Sequence, residues 1–237
     1  MDNAGYVTLT RQSGLLSELR TVAQNVANAS TVGYRREGVV FSEFIKQGSG
    51  ESLSMAKAGA HFVDQSQGVL KRTGGSLDLA IEGDGYFRIE TNNGERLTRA
   101  GNFSLSDNGE LVMPDGQRVL SNDGAAIAIP EGSGKIAVSS DGEISAGGEA
   151  IAQIGIATAD PKTLRREGDN LFRATDGAQP AEGFKVAQGF LEQSNVNAVS
   201  EIARLIEVQR AYELGQGLLE REHNRMTSMI QKLGSSM

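Results

Sequence analysis

Two carboxylates near the start of the middle region have the spacing that acid–base chemistry requires. Glu82 and Asp84 lie two positions apart, so in an extended strand their side chains would project from the same face. Carboxylate pairs of this kind hydrolyse glycosidic bonds. The same two residues lie beside the glycine-rich turn segment 83–85, where carboxylates are usually solvated. The pair leaves open a β-rich hydrolase that acts on cell-wall polymer, although we favour the solvated turn.

The rest of the composition excludes most other catalytic or metal sites. The chain has no cysteine, which excludes disulfides, iron–sulfur clusters and thiolate nucleophiles. His61 and His223 are far apart in sequence, so we expect no histidine-based metal site or triad. The glycine-rich segments 83–85 and 132–135 each lack part of a nucleotide-binding motif. We therefore predict no catalytic residue, no cofactor and no metal.

The charge of the chain argues against nucleic acid as a partner. There are 23 Lys and Arg against 30 Asp and Glu, which gives a net charge of −7. This is the wrong sign for a protein that binds phosphates. No stretch approaches the run of about 18 apolar residues that crosses a bilayer, so we expect no direct membrane insertion. The first residues lack a basic flank followed by an apolar run, so no cleaved secretory signal is expected.

The spacing of glycine and apolar residues predicts a β domain in the middle of the chain. Between Gly68 and Gly189 there are 20 of the 30 glycines, and several of them recur at steps of 7 or 8. This rhythm is typical of hairpin turns. Apolar residues alternate between the turns, as in the segment 77–81. Because no intervening segment is long enough for a crossover helix, we predict about ten short antiparallel strands.

The N-terminal segment has the apolar spacing of an α-helix. From residue 4 to residue 29 the apolar positions recur at steps of one and three, and the pattern stops near Asn28. The apolar face consists of Leu15, Leu16, Leu19, Val22, Ala23 and Val26.

The C-terminal segment has a stricter heptad spacing, which is typical of a coiled coil. It begins at about Asn197, a predicted N-cap, and continues to Leu233. Its seam positions are Ile202, Leu205, Gln209, Tyr212, Gln216, Leu219, His223, Met226, Ile230 and Leu233.

Together these patterns predict an α+β fold, with the terminal helices paired as a coiled-coil-like layer and a central antiparallel all-β domain. We place the N-terminal helix in residues 1–35, a loosely structured connector in 36–67, the β domain in 68–190 and the C-terminal helix in 191–237. Polar seam positions weaken the pairing of two isolated helices. We therefore expect both ends to be mobile in the monomer and to become ordered only against neighbouring subunits.

Three motifs in the chain resemble those of one protein family. Segment 22–34, VAQNVANASTVGY, contains the pattern N-hydrophobic-A-N-x-x-T-x-G-[YF], and segment 77–87, LDLAIEGDGYF, is similar to a block of the type LD-A-I-GDGFF. Segments 192–197, EQSNVN, and 207–213, EVQRAYE, contain the C-terminal elements SNV and QRAYE. In this order the motifs resemble those of the flagellar rod, hook and hook-associated axial proteins.

The resemblance implies a structural, non-enzymatic subunit of the periplasm-spanning rod in the flagellar basal body. It implies that this chain polymerises with itself and with other rod subunits through its terminal helices, with the β domain outside, and so transmits torque. It also implies export in the unfolded state by the flagellar type III apparatus, without a cleaved signal. The opening residues and the length favour a proximal-rod component over the alternative, the distal rod protein of the same family.

The resemblance also gives roles to individual residues. Asn25 and Asn28 would bond through their amides to a neighbour or to the chain that leaves the helix, and Gly33 and Tyr34 would form an exit turn and an aromatic plug. The alternative is a monomer whose end helices pair only with each other. The predicted assembly interface comprises Leu15, Leu16, Leu19, Val22, Ala23, Asn25, Val26, Asn28, Gly33, Tyr34, Ile202, Leu205, Gln209, Arg210, Tyr212, Leu219, Met226 and Ile230.

Overall fold

The chain has an α+β fold with a helix towards each end. The computed structural model describes the backbone of residues 2–46 and 53–234 and the side chains of residues 8–40 and 61–231. Helix α1 spans Asp2–Ala27 and helix α2 spans Ala198–Gly234, both close to the predicted limits. Within the described residues, neither helix is long and apolar enough to cross a membrane.

Contacts divide the chain into two compact units. The helical unit comprises the described residues of 1–27, 37–62 and 197–237, and the β unit comprises 28–36 and 63–196. The segment 28–36, which follows α1, therefore packs with the β unit.

In the helical unit, α1 and α2 run antiparallel. Near one end, Asn25 Nδ2 donates to Glu201 Oε2 at 3.0 Å, and further along, Gln12 Nε2 donates to the Tyr212 carbonyl at 2.8 Å. The predicted N-cap is confirmed, because Asn197 Oδ1 accepts hydrogen bonds from two backbone N–H groups of the first turn of α2, each at 3.1 Å.

The segment predicted to be a loosely structured connector contains two strands. Strand β1 spans Glu37–Lys46 and β2 spans Leu53–Val63, and they pair as a two-stranded sheet. The expectation of a loose segment was wrong, because the β-branched and aromatic residues of 39–45 favour an extended backbone. The scattered glycines of 36–67 conceal that preference in the sequence.

The β unit contains sixteen strands between residues 70 and 192, a stretch that is described throughout, where the sequence predicted about ten. The additional strands are pieces of two or three residues that local patterning does not distinguish from turns. The strands are β3 (Leu70–Arg72), β4 (Leu79–Glu82), β5 (Tyr86–Thr91), β6 (Gly94–Thr98), β7 (Ser104–Leu105), β8 (Leu111–Val112), β9 (Arg118–Val119), β10 (Ile136–Val138), β11 (Glu143–Ala146), β12 (Glu149–Gln153), β13 (Ile156–Thr158), β14 (Leu164–Arg166), β15 (Phe172–Ala174), β16 (Gln179–Pro180), β17 (Lys185–Gln188) and β18 (Phe190–Glu192).

Antiparallel pairing holds these strands together, as predicted. The largest sheet has nine strands, with β14-β15-β6-β5-β9-β8-β7 as its main path, β13 attached beside β5 and β16 attached beside β13. Strands β10, β11 and β12 form a meander, while β4 pairs with β17 and β3 pairs with β18. The last two pairs join the beginning of the β unit to its end.

An apolar core lies inside the β unit. Phe87 is fully buried and meets the Phe103 ring edge to face at 5.0 Å between centroids. Gly101 follows the same glycine spacing, but it does not lie at a turn with positive φ. Its backbone lies close to that of Leu79, since a Cβ there would be 1.7 Å from the Leu79 carbonyl oxygen. A smaller cluster packs around Phe172, Tyr86 and Leu97.

Candidate functional site

The Asn25 side chain forms hydrogen bonds both to the chain that leaves α1 and to the first turn of α2. Its side chain is fully buried, and its Oδ1 accepts from the Glu37 N–H at 3.0 Å while its Nδ2 donates to the Glu37 carbonyl at 2.8 Å. The same Nδ2 donates to Glu201 Oε2 at 3.0 Å. Of the two roles considered for Asn25, the structure therefore contains the bond to the outgoing chain.

The turn after α1 explains the threonine and glycine of the first motif. Asn28 Oδ1 accepts from the Thr31 hydroxyl at 3.1 Å, and Gly33 has a φ of 65°. A Cβ on Gly33 would lie 2.3 Å from the carbonyl carbon of Arg99, so a side chain does not fit. The Gly33 N–H donates to the Glu192 carbonyl at 2.7 Å, which ties the turn to the β unit.

Tyr34 plugs into the β unit under an arginine. It is 2% exposed, and the Arg166 guanidinium lies 4.3 Å from the centre of its ring and 4.7 Å from that of Phe172. Arg166 Nη2 also donates to the Arg35 carbonyl at 2.6 Å. One arginine thus stacks on two rings and holds the adjacent backbone.

A buried cluster of three charged residues lies next to this turn. Glu192 Oε1 is 2.9 Å from Arg35 Nη2 and its Oε2 is 3.3 Å from Arg99 Nη1, and all three side chains are 3% exposed or less. Burial lowers the pKa of Arg99, an effect that the Glu192 charge opposes. Sequence reasoning missed this cluster because charged residues far apart in a sequence give no sign of pairing.

Asn195, in the SNV element, connects three segments of the β unit. Its Oδ1 accepts from the Arg36 N–H at 2.6 Å, and its Nδ2 donates to the carbonyls of Asp64 and Ser66 at 3.2 and 2.9 Å. Partial burial raises the pKa of Asp64, but the hydrogen bonds from Ser66 and the charges of Arg36 and Arg35 outweigh it and lower that pKa. The only signal in the sequence for this junction is the motif itself.

Every second residue of the predicted seam of α2 is exposed instead of facing α1. Glu201 and Val208 are 3% and 2% exposed, whereas Ile202 and Gln209, one residue later, are exposed. The face is displaced because the bond from Asn25 stabilises a buried carboxylate at 201. The seam positions that are partly buried, as expected, are Leu205, Tyr212 and Leu219.

The predicted assembly residues are divided between the two units. Asn28, Gly33 and Tyr34 belong to the β unit, and the others belong to the helical unit. In the helical unit, Val22 and Asn25 are buried, and those partly buried are Leu15, Leu19, Val26, Leu205, Tyr212 and Leu219. The exposed ones are Leu16, Ala23, Ile202, Gln209, Arg210, Met226 and Ile230.

The candidate acid–base pair lies at a turn. Glu82 and Asp84 are both exposed, on either side of Gly83, whose φ is 95° and whose carbonyl accepts from Arg99 Nη2 at 2.6 Å. Within the described part of the chain, no group of histidine, aspartate and glutamate side chains could hold a metal ion.

The chain matches two protein families in separate segments. Residues 80–146 match the flagellar hook protein FlgE/F/G D1 domain, and residues 187–232 match the flagellar basal body rod FlgEFG protein C-terminal family. The first matched segment contains residues 80–87 of the second motif, and the second contains both C-terminal elements, 192–197 and 207–213.

Similarity to curated proteins extends over the whole chain. The flagellar basal-body rod protein FlgF of Rhizobium meliloti is 38% identical over 100% of both chains, and that of Caulobacter vibrioides is 38% identical over 99% of both. The flagellar basal-body rod protein FlgG of Bacillus subtilis is 35% identical over 88% of this chain and 90% of its own.

Proposed function

Since this chain belongs to the FlgF family of flagellar basal-body rod proteins, we propose that it is a subunit of the proximal rod and polymerises there through its terminal helices. The family is structural rather than enzymatic, and its members are part of the flagellar basal body.

The observation that carries the proposal is the apolar surface that the two helices leave open. Leu214 and Ile230 of α2 are 73% and 69% exposed, and Met226 is 52% exposed. Burying one large apolar side chain stabilises an assembly by about 1.5 to 3 kcal/mol. Helices that pair and still expose this surface are suited to packing against the helices of neighbouring subunits.

We infer that folding and assembly of the helices are linked. In the rod, α1 and α2, which lie within the predicted terminal segments 1–35 and 191–237, form an inner coiled-coil-like layer, and residues 68–190 form a domain outside it. The interface is the predicted set of helix and turn residues, with Asn25 and Tyr34 as anchors inside each subunit. Helices locked to one another in this way transmit torque along the rod.

The proposed partners are other copies of this chain and other proximal and distal rod subunits. Delivery is by the flagellar type III export apparatus, in an unfolded state and without a cleaved signal. The near-neutral ends support close packing, because residues 1–35 carry three basic and two acidic residues and residues 196–237 carry five of each.

Electron microscopy of isolated basal bodies from cells that carry a tagged copy tests this proposal. We expect the tag in the proximal rod and loss of motility when the gene is deleted. A tag in the distal rod would favour the alternative member of the same family. A tag absent from the basal body, in cells that remain motile without the protein, would reject a rod function.

A further inference from the structure

One side of the helix pair has an open apolar groove. The groove has a volume of about 300 Å³ and lies between α1 and α2. Leu15 lines it from α1, and Leu214 and Leu218 line it from α2 with 73% and 46% of their surfaces exposed. The contacts between α1 and α2 therefore leave apolar surface uncovered on this side.

Basic residues border the groove. Arg11 lines it from α1, and on α2 Arg210 and Arg221 lie four residues before and seven after Leu214, on the same side of the helix. None of these three arginines forms an ion pair with a described residue, although Arg221 Nε donates to the Gly217 carbonyl at 3.0 Å. The name basic groove is used below for the surface formed by Arg11, Arg210, Arg221, Leu15, Leu214 and Leu218.

A stripe of the opposite charge lies about 100° around α2, one residue away in sequence. Glu213 and Glu220 are both exposed and lie seven residues apart on the same side. Ile202 and Ile206, each 46% exposed, belong to this side as well. Within the described residues neither carboxylate forms an ion pair. We call these four residues the acidic stripe.

We propose that the acidic stripe of one copy docks into the basic groove of a second copy, with the two α2 helices parallel and displaced by eight residues, or about 12 Å. This displacement brings Ile206 beside Leu214 and Glu213 beside Arg221, so that at these two positions apolar meets apolar and carboxylate meets guanidinium. The other two residues of the stripe, Ile202 and Glu220, then lie beside Arg210 and Ser228. Parallel helices in register would instead place Glu213 against Leu214. The proposal rests on the proposed rod function and deepens it, since it names the surfaces that join two copies.

The contact uses two different surfaces of the same chain. Each docked copy therefore keeps one unused groove or stripe, so association continues in one direction and generates a ring or an open helical assembly. Gly217 lies between the two surfaces, and a Cβ there would meet no atom within 4 Å. Because glycine has no side chain, the surface of α2 between the groove and the stripe does not protrude at this position, which allows helices to approach closely on both sides.

Charge reversal of the predicted pair tests the docking in the purified full chain. Sedimentation across a concentration series should show that Arg221→Glu or Glu213→Arg alone weakens self-association by about fivefold or more, because each change places like charges together. The double variant carries both changes in every copy and should restore association to within about twofold of the unmodified chain. Lys162→Glu, an exposed charge reversal in the β unit, should leave association unchanged.

Circular dichroism establishes that each variant keeps its helices, and Arg221→Gln with Glu213→Gln replace any reversal that unfolds α2. The proposal is overturned if the unmodified chain stays monomeric at every concentration, or if the double variant associates no better than the single ones. If self-association is restored by combining Glu220→Arg with Arg221→Glu, and not by combining Glu213→Arg with Arg221→Glu, the eight-residue displacement is rejected. If the reversals have no effect and the tagged protein still lies in the rod, this surface is rejected and the rod function stands.

Discussion

At the scale of single residues, buried polar side chains join segments that are far apart in the sequence. Asn25 bonds to Glu37 and Glu201 in the helical unit, and Asn195 bonds to Arg36 and Asp64 in the β unit. A buried polar group that loses its partner costs about 1 to 3 kcal/mol. These side chains therefore stabilise the fold only while all their partners are in place.

Replacement of Asn25 should show how much this junction contributes. Asn25→Ala removes the bonds to Glu37 and a donor to the buried Glu201 carboxylate, so we expect the free energy of unfolding to fall by about 2 to 4 kcal/mol. Urea unfolding of the full chain measures it. Asn28→Ala removes the acceptor of the Thr31 hydroxyl and serves as the control, with a loss of about 1 kcal/mol or less. Equal effects of the two substitutions would contradict the assignment.

Gly33 should tolerate no side chain. Gly33→Ala combines a φ of 65° with a Cβ placed 2.3 Å from the backbone of Arg99, so we expect a destabilisation of about 2 to 4 kcal/mol. Gly116 has a φ of 81° but open space around it, so Gly116→Ala isolates the backbone cost, about 1 to 2 kcal/mol. Thermal unfolding of both variants separates steric overlap from backbone strain, and similar melting temperatures would disprove the close approach.

At the scale of elements, the two helices differ in length and leave part of α2 unpaired by α1. Helix α1 has 26 residues and α2 has 37. The bonds from Asn25 to Glu201 and from Gln12 to Tyr212 set an antiparallel register. In this register the N-terminal end of α1 does not reach the last turns of α2. Met226 and Ile230 lie in those turns and are exposed. The apolar side that α1 covers thus continues beyond α1.

Two glycines of α2 should respond to alanine in opposite ways. Gly217 has open space around it, so Gly217→Ala should stabilise the chain by about 1 kcal/mol through helix propensity alone. At Gly215 a Cβ would lie 2.2 Å from Gln12 Nε2 and would displace the bond from Gln12 to the Tyr212 carbonyl. Gly215→Ala should therefore give no gain or a loss of about 1 kcal/mol. Chemical unfolding monitored by circular dichroism at 222 nm compares the pair, and an equal gain for both would rule out the close contact.

At the scale of the whole molecule, the two units should differ in stability when the chain is isolated. The β unit has a continuous buried core, whereas α2 exposes most of its side chains beyond residue 208. Hydrogen exchange on a dilute sample should show strong protection in β5 and β6 and weak protection between residues 209 and 230. Strong protection of 209–230 in the monomer would contradict folding that is completed by assembly.

Function in the cell should depend on the helices and not on the carboxylate pair. We expect Glu82→Gln with Asp84→Asn to leave swimming motility intact, because both residues are exposed at a turn. Leu205→Asp or Leu219→Asp should abolish motility, since a charge there disrupts the partly buried faces of α2. Leu105→Asp, at an exposed position of the β unit, is the matched control and should be tolerated. If only the carboxylate variant lost motility, the result would favour the alternative of a hydrolase that uses Glu82 and Asp84.

Much of the fold could be predicted because it depends on short-range properties of the chain. The limits of α1 and α2, the cap at Asn197 and the antiparallel pairing follow from apolar period, capping chemistry and glycine turns. The first motif located the turn at Gly33, which needs a positive φ. Strands β1 and β2 escaped prediction because the scattered glycines of 36–67 mask the extended preference of the β-branched and aromatic residues of 39–45.

Local patterning of residue types was enough to predict the two terminal helices, the antiparallel strands of the β unit and the family to which the chain belongs. Long-range contacts, which no local pattern reveals, turn Glu201 and Val208 rather than Ile202 and Gln209 towards α1 and bury Glu192 between two arginines. Helical period narrows a face to within about one residue, or 100°. The exact face depends on a partner more than a hundred residues away, such as Asn25 for Glu201. A charge is stable in the interior only where the fold supplies its counterpart, and that proximity exists only in three dimensions.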